Sequence, residues 1–202
     1  MSDLRTRYIS AIEYINALCR YLNVKYFGGA LSHPVIVIVA DDKKSGFTTK
    51  SVWKENEGEL NSPELSIPAS LLKESSKAIA ERILHLLCHR YAKESDLKET
   101  TRYGKYHNRV YKRIAETHGL TVTMAEKTGW SETKLSDENA LDEFAMSKPD
   151  IYREPEIVPK RVRGTGARKY SCPLCGKSVR ATSEVRVLCM NCNEEMLEEK
   201  LK

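Results

Sequence analysis

Two histidines stand four residues apart in the segment Ile83-Leu84-His85-Leu86-Leu87-Cys88-His89. The segment lies in residues 69–93, a stretch without glycine or proline. Its apolar positions Leu71, Leu72, Ile79, Ile83, Leu84, Leu87 and Cys88 recur at helical spacing, with a break expected near Ser75 and Ser76. At about 100° per residue, His85 and His89 fall about 40° apart on one helix face and can share a metal ion. Spacing alone fits equally well two histidines that bind nothing. A metal needs a third ligand, and His107 is the best candidate. It is expected to begin the next helix, after a loop long enough to fold it back against the first. His118, at that helix's C-terminus, and His33, in a turn, read as surface or dipole-compensating imidazoles. Cys88, at about −60° from His85, reads as a small buried side chain rather than an unusual ligand.

Working outward, residues 3–26 carry Leu4, Tyr8, Ile12, Ile15, Cys19 and Leu22 at the spacing of an amphipathic helix, with Gly28-Gly29 as its stop. Pro34 introduces Val35-Ile36-Val37-Ile38-Val39, a β-branched run that predicts a buried strand. Two weaker strands are expected around residues 47–53 and 64–67. Beyond the polar loop 94–105, Val110, Tyr111, Ile114 and Ala115 predict a second helix closed by His118-Gly119. A short strand at 120–124 and an acidic helix at 136–147 complete the first domain. No internal repeat is visible.

After Pro149 the composition turns to proline, glycine and the basic cluster Lys160, Arg161, Arg163, Arg168 and Lys169, which predicts an extended linker. Residues 153–180 carry a local charge excess of +6 within a chain of formal net charge +5, so any basic patch belongs to the C-terminal part. Beyond the linker stand Cys172-Pro-Leu-Cys175 and Cys189-Met-Asn-Cys192, with an alternating, strand-like run at 183–188 between them. Two such pairs supply four thiolates for a tetrahedral zinc, closed to further ligands and therefore structural. Gly176 suits the tight turn after the first pair. Two disulfides or a redox dithiol are the competing readings.

At 202 residues the chain holds one domain with a proper core plus a small appendage. Hydrophobic residues make up 41% and charged residues 30%, which argues against disorder. No stretch is long and apolar enough for a membrane span, and no signal peptide is visible, so a cytoplasmic protein without a membrane partner is expected.

Several segments, in order, resemble the SprT-like family. They are Tyr26-Phe27-Gly28-Gly29 with Leu31, Ser62-Pro63-Glu64-Leu65-Ser66-Ile67, the segment from Ile83 to His89, residues 100–108, Ala115-Glu116-Thr117-His118-Gly119-Leu120, Gly129-Trp130 and the cysteine ribbon from Tyr170 to Met196. The resemblance implies an α+β fold: a minimal zincin-like metallopeptidase domain, with helices packed on a small mixed sheet, over residues 1–148. It implies a basic linker at 149–169 and a zinc ribbon with its tail at 170–202. It places zinc ligands on His85, His89 and His107, in addition to the ribbon's Cys172, Cys175, Cys189 and Cys192, so two zinc sites are expected. Family members include DNA-dependent proteases that act on proteins crosslinked to DNA.

One position departs from the family. In an H-E-x-x-H site the glutamate after the first histidine takes the proton of the attacking water and later passes it to the leaving amine. Here that position is Leu86, at about 100° from His85 and beside the ligand pair. Leucine accepts no proton, and losing a general base costs about two to four orders of magnitude. Glu81, at about −40°, and Glu64, on the neighbouring strand, are the nearest substitutes. Two functions follow as expectations. One is a zinc metallopeptidase with weak or absent activity, a monomer acting on protein or peptide, with DNA as a further partner. The other is a non-catalytic DNA- or protein-binding adaptor, in which the ribbon and the basic segment 160–169 contact phosphate.

Overall fold

Asp3 starts the first helix, α1 (Leu4–Phe27): its carboxylate accepts the amides of Arg5 and Thr6. Gly28, in left-handed backbone at φ 62°, ends it. The computed structural model describes residues 3–40, 46–54, 61–154 and 168–199, with 46–52 and 61 described by backbone alone. The chain divides into two compact units, Met1–Glu156 and Ile157–Lys202. Each is described by itself.

In the first unit β1 (Val35–Val39), β2 (Gly46–Lys54) and β3 (Asn61–Pro68) form a sheet of order β1-β3-β2. β1 runs parallel to β3 and β2 antiparallel to it, so the sheet is mixed. A 3₁₀ turn at Ala69–Lys73 leads to α2 (Ser76–Glu94), whose N-cap Ser75 accepts the Ala78 amide. The break expected near Ser75 and Ser76 is therefore a cap. A second sheet, of order β4-β5-β7-β6, comprises β4 (Thr100–Thr101), β5 (Tyr106–His107), β6 (Leu120–Ala125) and β7 (Gly129–Leu135). α3 (Arg109–Thr117) lies between β5 and β6 in the chain. One continuous core holds Tyr14, Ile15, Leu18 and Leu22 of α1, Ile79, Ile83, Leu84 and Leu87 of α2, Leu65 and Ile67 of β3, and Tyr111 of α3. Burying each such aliphatic side chain stabilises the fold by about 1.5–3 kcal/mol.

Several expectations need correction. The buried stripe of α1 does not include Leu4 and Tyr8, which are exposed; Ala11, Tyr14 and Leu18 take the core positions. β1 is an edge strand with one face on the core, so only Ile36 of its five residues is buried. His107 does not begin α3. It ends β5, and Asn108 caps the helix. β7 has no counterpart among the expected strands, because its Ser131, Glu132, Thr133 and Lys134 give no apolar alternation.

The acidic helix at 136–147 is instead a series of turns, with bonds from Ala140 N to Asp137 O and from Phe144 N to Leu141 O. Asp137 accepts the Asn139 amide, a local bond that competes with helix formation. The Ala140 carbonyl, which a helix would give to the Phe144 amide, accepts from the Tyr21 hydroxyl at 2.8 Å and Lys25 Nζ at 2.9 Å. The apolar positions still pack, with Phe144 against Tyr14 and Tyr21.

The second unit contains β8 (Arg168–Ser171), β9 (Ser178–Ala181), β10 (Leu188–Cys189), β11 (Glu194–Glu195) and β12 (Leu197–Glu199), paired as β12-β8-β9 and β10-β11. The run at 183–188 is not a strand before Leu188, since the Val185 amide donates to the Tyr170 hydroxyl rather than to a ladder. Tyr170, Cys172, Cys189 and Met196 are the buried residues among those described in this unit. Among the described residues, no helix is long and apolar enough to cross a membrane.

Candidate metal centres

α2 presents His85 and His89 on one face, and β5 brings His107 to meet them. His89 Nε2 lies 3.3 Å from His85 Nε2 and 3.0 Å from His107 Nε2. Every second ring nitrogen is turned outward and held. His107 Nδ1 donates to the Thr128 carbonyl at 3.2 Å, His89 Nδ1 meets Glu99 Oε1 at 3.1 Å, and His85 Nδ1 meets Thr133 Oγ1 at 3.1 Å.

These outer bonds determine what the inner nitrogens can do. A carbonyl and a carboxylate only accept, so His107 and His89 carry their protons on Nδ1, and each Nε2 offers a lone pair. Two lone pairs 3.0 Å apart repel unless a cation lies between them. A proton is disfavoured. Burial first, and then the charge of neighbouring His89, hold both His85 and His107 below the ordinary imidazole value. A metal ion reconciles the arrangement, and outward bonds of this kind are how proteins orient ligating imidazoles. Burial alone would raise the Glu99 carboxyl, but its hydrogen bond to His89 brings it below its usual value and keeps it ionised.

Local structure explains how the three rings meet. Asn108 accepts the Val110 and Tyr111 amides as the α3 cap, donates from Nδ2 to Lys98 O at 2.8 Å, and donates its amide to Glu99 O. It thereby ties Glu99 to the start of α3. Tyr111, fully buried, has its ring within 4.6–5.0 Å of all three imidazoles and donates its hydroxyl to the His85 carbonyl. β7 meets β5 at a single parallel pair, His107 with Gly129. Gly129 has φ +71°, and a Cβ there would fall 2.2 Å from the His107 carbonyl oxygen. Only glycine permits this approach, which lets the Thr128 carbonyl accept both the His107 amide, at 2.9 Å, and its ring.

Leu86 is 5% exposed and belongs to the core cluster. Glu81 and Glu64, the two carboxylates weighed for this position, each accept a hydrogen bond from elsewhere in the chain. Glu81 accepts the Leu135 amide at 3.1 Å. Glu64 accepts from Trp53 Nε1 and Ser66 Oγ, and by alternation lies on the sheet face opposite Leu65 and Ile67. Cys88 is fully buried, and burial pushes its thiol up to about 12, the profile of a packing residue. His118 donates to Ile114 O and stacks on Phe27, while His33 contacts Asn16 and Arg20; neither joins the centre.

The four ribbon cysteines form the second centre. Their sulfurs all lie within 4.8 Å of one another, and Cys175 Sγ is 3.6 Å from Cys189 Sγ, so the thiols are free. Each pair is a tight turn. The Gly176 amide donates to Cys172 O before backbone at φ 70°, and the Asn193 amide donates to Cys189 O at φ 54°. The amides of Cys192 and Asn191 hold the Cys189 thiol below its ordinary value.

Among the basic residues, Arg168 and Lys169 open β8. Arg168 pairs with Glu184 and Glu198, and Lys169 with Glu199. Lys160, Arg161 and Arg163 lie outside the described residues. Glu99, Thr128, Thr133, Tyr111 and Gly129 are the site residues that sequence reasoning missed. Tyr111 left a trace as one of the apolar helix positions, and Gly129 as part of the Gly129-Trp130 segment, though neither was read as a site residue. Compared with family models, curated proteins and solved structures, the chain matches none.

Proposed function

We propose that this chain is a SprT-like zinc protein, a zincin-type metallopeptidase scaffold whose peptide hydrolysis is weak or absent because Leu86 stands in the place of the general base. The convergence of three Nε2 atoms, with every Nδ1 held outward, carries this reading. The spacings suit zinc. A tetrahedral ion about 2.0–2.1 Å from each nitrogen and about 2.3 Å from each sulfur would set nitrogen pairs about 3.3 Å and sulfur pairs about 3.8 Å apart. The nearest pairs are 3.0–3.3 Å and 3.6 Å.

When bound, zinc supplies a Lewis acid that acidifies water and polarises a carbonyl. The chain's own residues orient the imidazoles: Glu99 and Thr128 fix two tautomers, and Tyr111 backs all three rings. Glu81, Glu64 and Glu99, the carboxylates named above, are each engaged in a hydrogen bond elsewhere. DNA-associated proteins are the substrate class that the family resemblance suggests.

Zinc stoichiometry and protein hydrolysis, with and without DNA, test this on the wild type and Leu86→Glu. Two zinc ions per chain are expected in both, with hydrolysis rising by about 10²–10⁴ in the variant. Two zinc ions and no cleavage of unfolded or DNA-bound protein by Leu86→Glu would overturn the peptidase reading. A non-catalytic adaptor is the second reading, favoured by the burial of Leu86 in the core, which leaves α2 packed without any base. Salt-sensitive DNA binding by the wild type supports it.

A further inference from the structure

The hairpin that carries His107 also carries aromatic and basic side chains that the histidine centre does not use. β4 and β5 pair through Thr100 with His107 and Thr101 with Tyr106, so residues 102–105 form the tip. Arg102 and Tyr103 there hold left-handed backbone, at φ 52° and 58°, ahead of Gly104 at 82°. Glycine or asparagine makes such a turn at lower cost, so the turn alone does not account for these two side chains. Tyr103 is wholly exposed.

From the tip a series of contacts runs toward α3. The Arg102 guanidinium lies 4.8 Å from the centre of the Tyr106 ring. That ring packs on the backbone at Gly129, where a Cβ would fall 2.9 Å from Tyr106 Cε1. Trp130 comes next, with Lys112 Nζ 4.4 Å from the centre of its ring while pairing with Glu116 at 3.5 Å. Cation, ring, ring and cation follow one another, and Tyr103 stands beyond Arg102 at the open end. Charge is distributed in the same sense. Residues 98–134 hold eight Lys or Arg against four Glu, whereas residues 168–199 of the ribbon hold five of each sign. Arg168, Lys169 and Arg186 of the ribbon are already paired with glutamates.

Cations alone would suit any polyanion, and the rings narrow the choice. A polynucleotide alternates phosphates with flat bases, and unpaired bases stack on aromatic rings and guanidinium planes. An acidic peptide would leave the rings without a partner, and a duplex keeps its base faces covered. We propose that the strip from Tyr103 through Arg102 and Tyr106 to Trp130 and Lys112 binds single-stranded nucleic acid. The proposal rests on the adaptor reading above and moves its nucleic-acid contact from the ribbon and the basic segment to the first unit. It requires no metal at the histidines.

Fluorescence anisotropy of the full chain with a labelled single strand of about 15 thymidine nucleotides tests it across a range of salt. Tyr103→Ala, at an exposed position, should weaken binding at least about fivefold, and Tyr103→Phe, which keeps the ring, should stay within about twofold of the wild type. Arg102→Gln combined with Lys105→Gln should flatten the dependence of log affinity on log salt by about 1, close to the loss of two phosphate contacts on a single strand. The same strand paired with its complement, and poly-glutamate of equal charge, should both bind more weakly. A Tyr103→Ala variant that binds as the wild type does, an unchanged salt slope, or a duplex or poly-glutamate bound as tightly as the single strand overturns the proposal. If Tyr103→Ala has no effect and Lys160, Arg161 and Arg163 changed together to alanine abolish binding, the proposal falls and the adaptor reading stands on its original surface. A wild type that binds no oligonucleotide overturns both the proposal and the DNA-binding form of that reading.

Discussion

The histidine and cysteine centres each bring ligand atoms within 4.8 Å of one another, but by opposite routes. Around the histidines a large core comes first: α2, β5 and β7 fix the backbone, and Glu99, Thr128 and Thr133 aim the rings. Around the cysteines there is little else, since two of the four buried residues described in that unit are themselves cysteines of the cluster. In the first unit the fold builds the site. In the second, on the proposed metal reading, the site builds the fold, as in small metal-dependent domains.

Chelation separates the two most sharply. Removing metal should unfold residues 168–199 while Leu4–Phe27, Ser76–Glu94 and β3 keep their amide protection, as read by hydrogen exchange. A ribbon that stays protected without metal, or a first unit that melts with it, breaks the comparison. Tyr111→Ala comes next. It should cost the first unit about 3–5 kcal/mol in urea unfolding, against about 1 kcal/mol for Tyr111→Phe, which loses only the hydroxyl bond to His85. The ribbon should retain its metal in both.

Gly129→Ala should destabilise the first unit by about 1–3 kcal/mol through positive-φ strain and the clash with the His107 carbonyl. Metal content should fall from two ions to one. Glu99→Gln should leave stability nearly unchanged and weaken metal binding at the histidines about 10–100-fold, measured by competition with a chromophoric chelator. Arg186→Ala should change neither centre, because its pair with Glu195 is exposed. An effect on the cysteine centre there would show that side chains also organise the ribbon.

Legibility in the sequence follows the same division. The cysteine centre could be read because its determinants are local: two C-x-x-C pairs and the turn residues beside them. Two of the three histidines were equally local, since His85 and His89 share a helix. The remainder depends on contacts between residues far apart in the chain. Thr133 lies 48 positions from His85, and Thr128 lies 21 from His107. β7 carries Thr133 to the site and Thr128 directly precedes it, yet the strand has the composition of a loop. His107 was chosen for starting a helix, and it reaches the centre as the end of a strand instead. The turn at 137–144 failed for a related reason: its apolar spacing was right, but α1 takes the carbonyl that a helix would need.

The hold on His107 differs in kind from the other two. Glu99 and Thr133 act through side chains, so a single substitution can abolish either bond. Thr128 acts through its peptide oxygen, which every amino acid supplies, so the identity of residue 128 is free as far as this bond is concerned. The genetic sensitivity moves one residue along, to Gly129, which contributes no donor, acceptor or charge to the centre. A screen for loss of the metal ion at the histidines should therefore find position 129 as intolerant as a ligand and position 128 permissive.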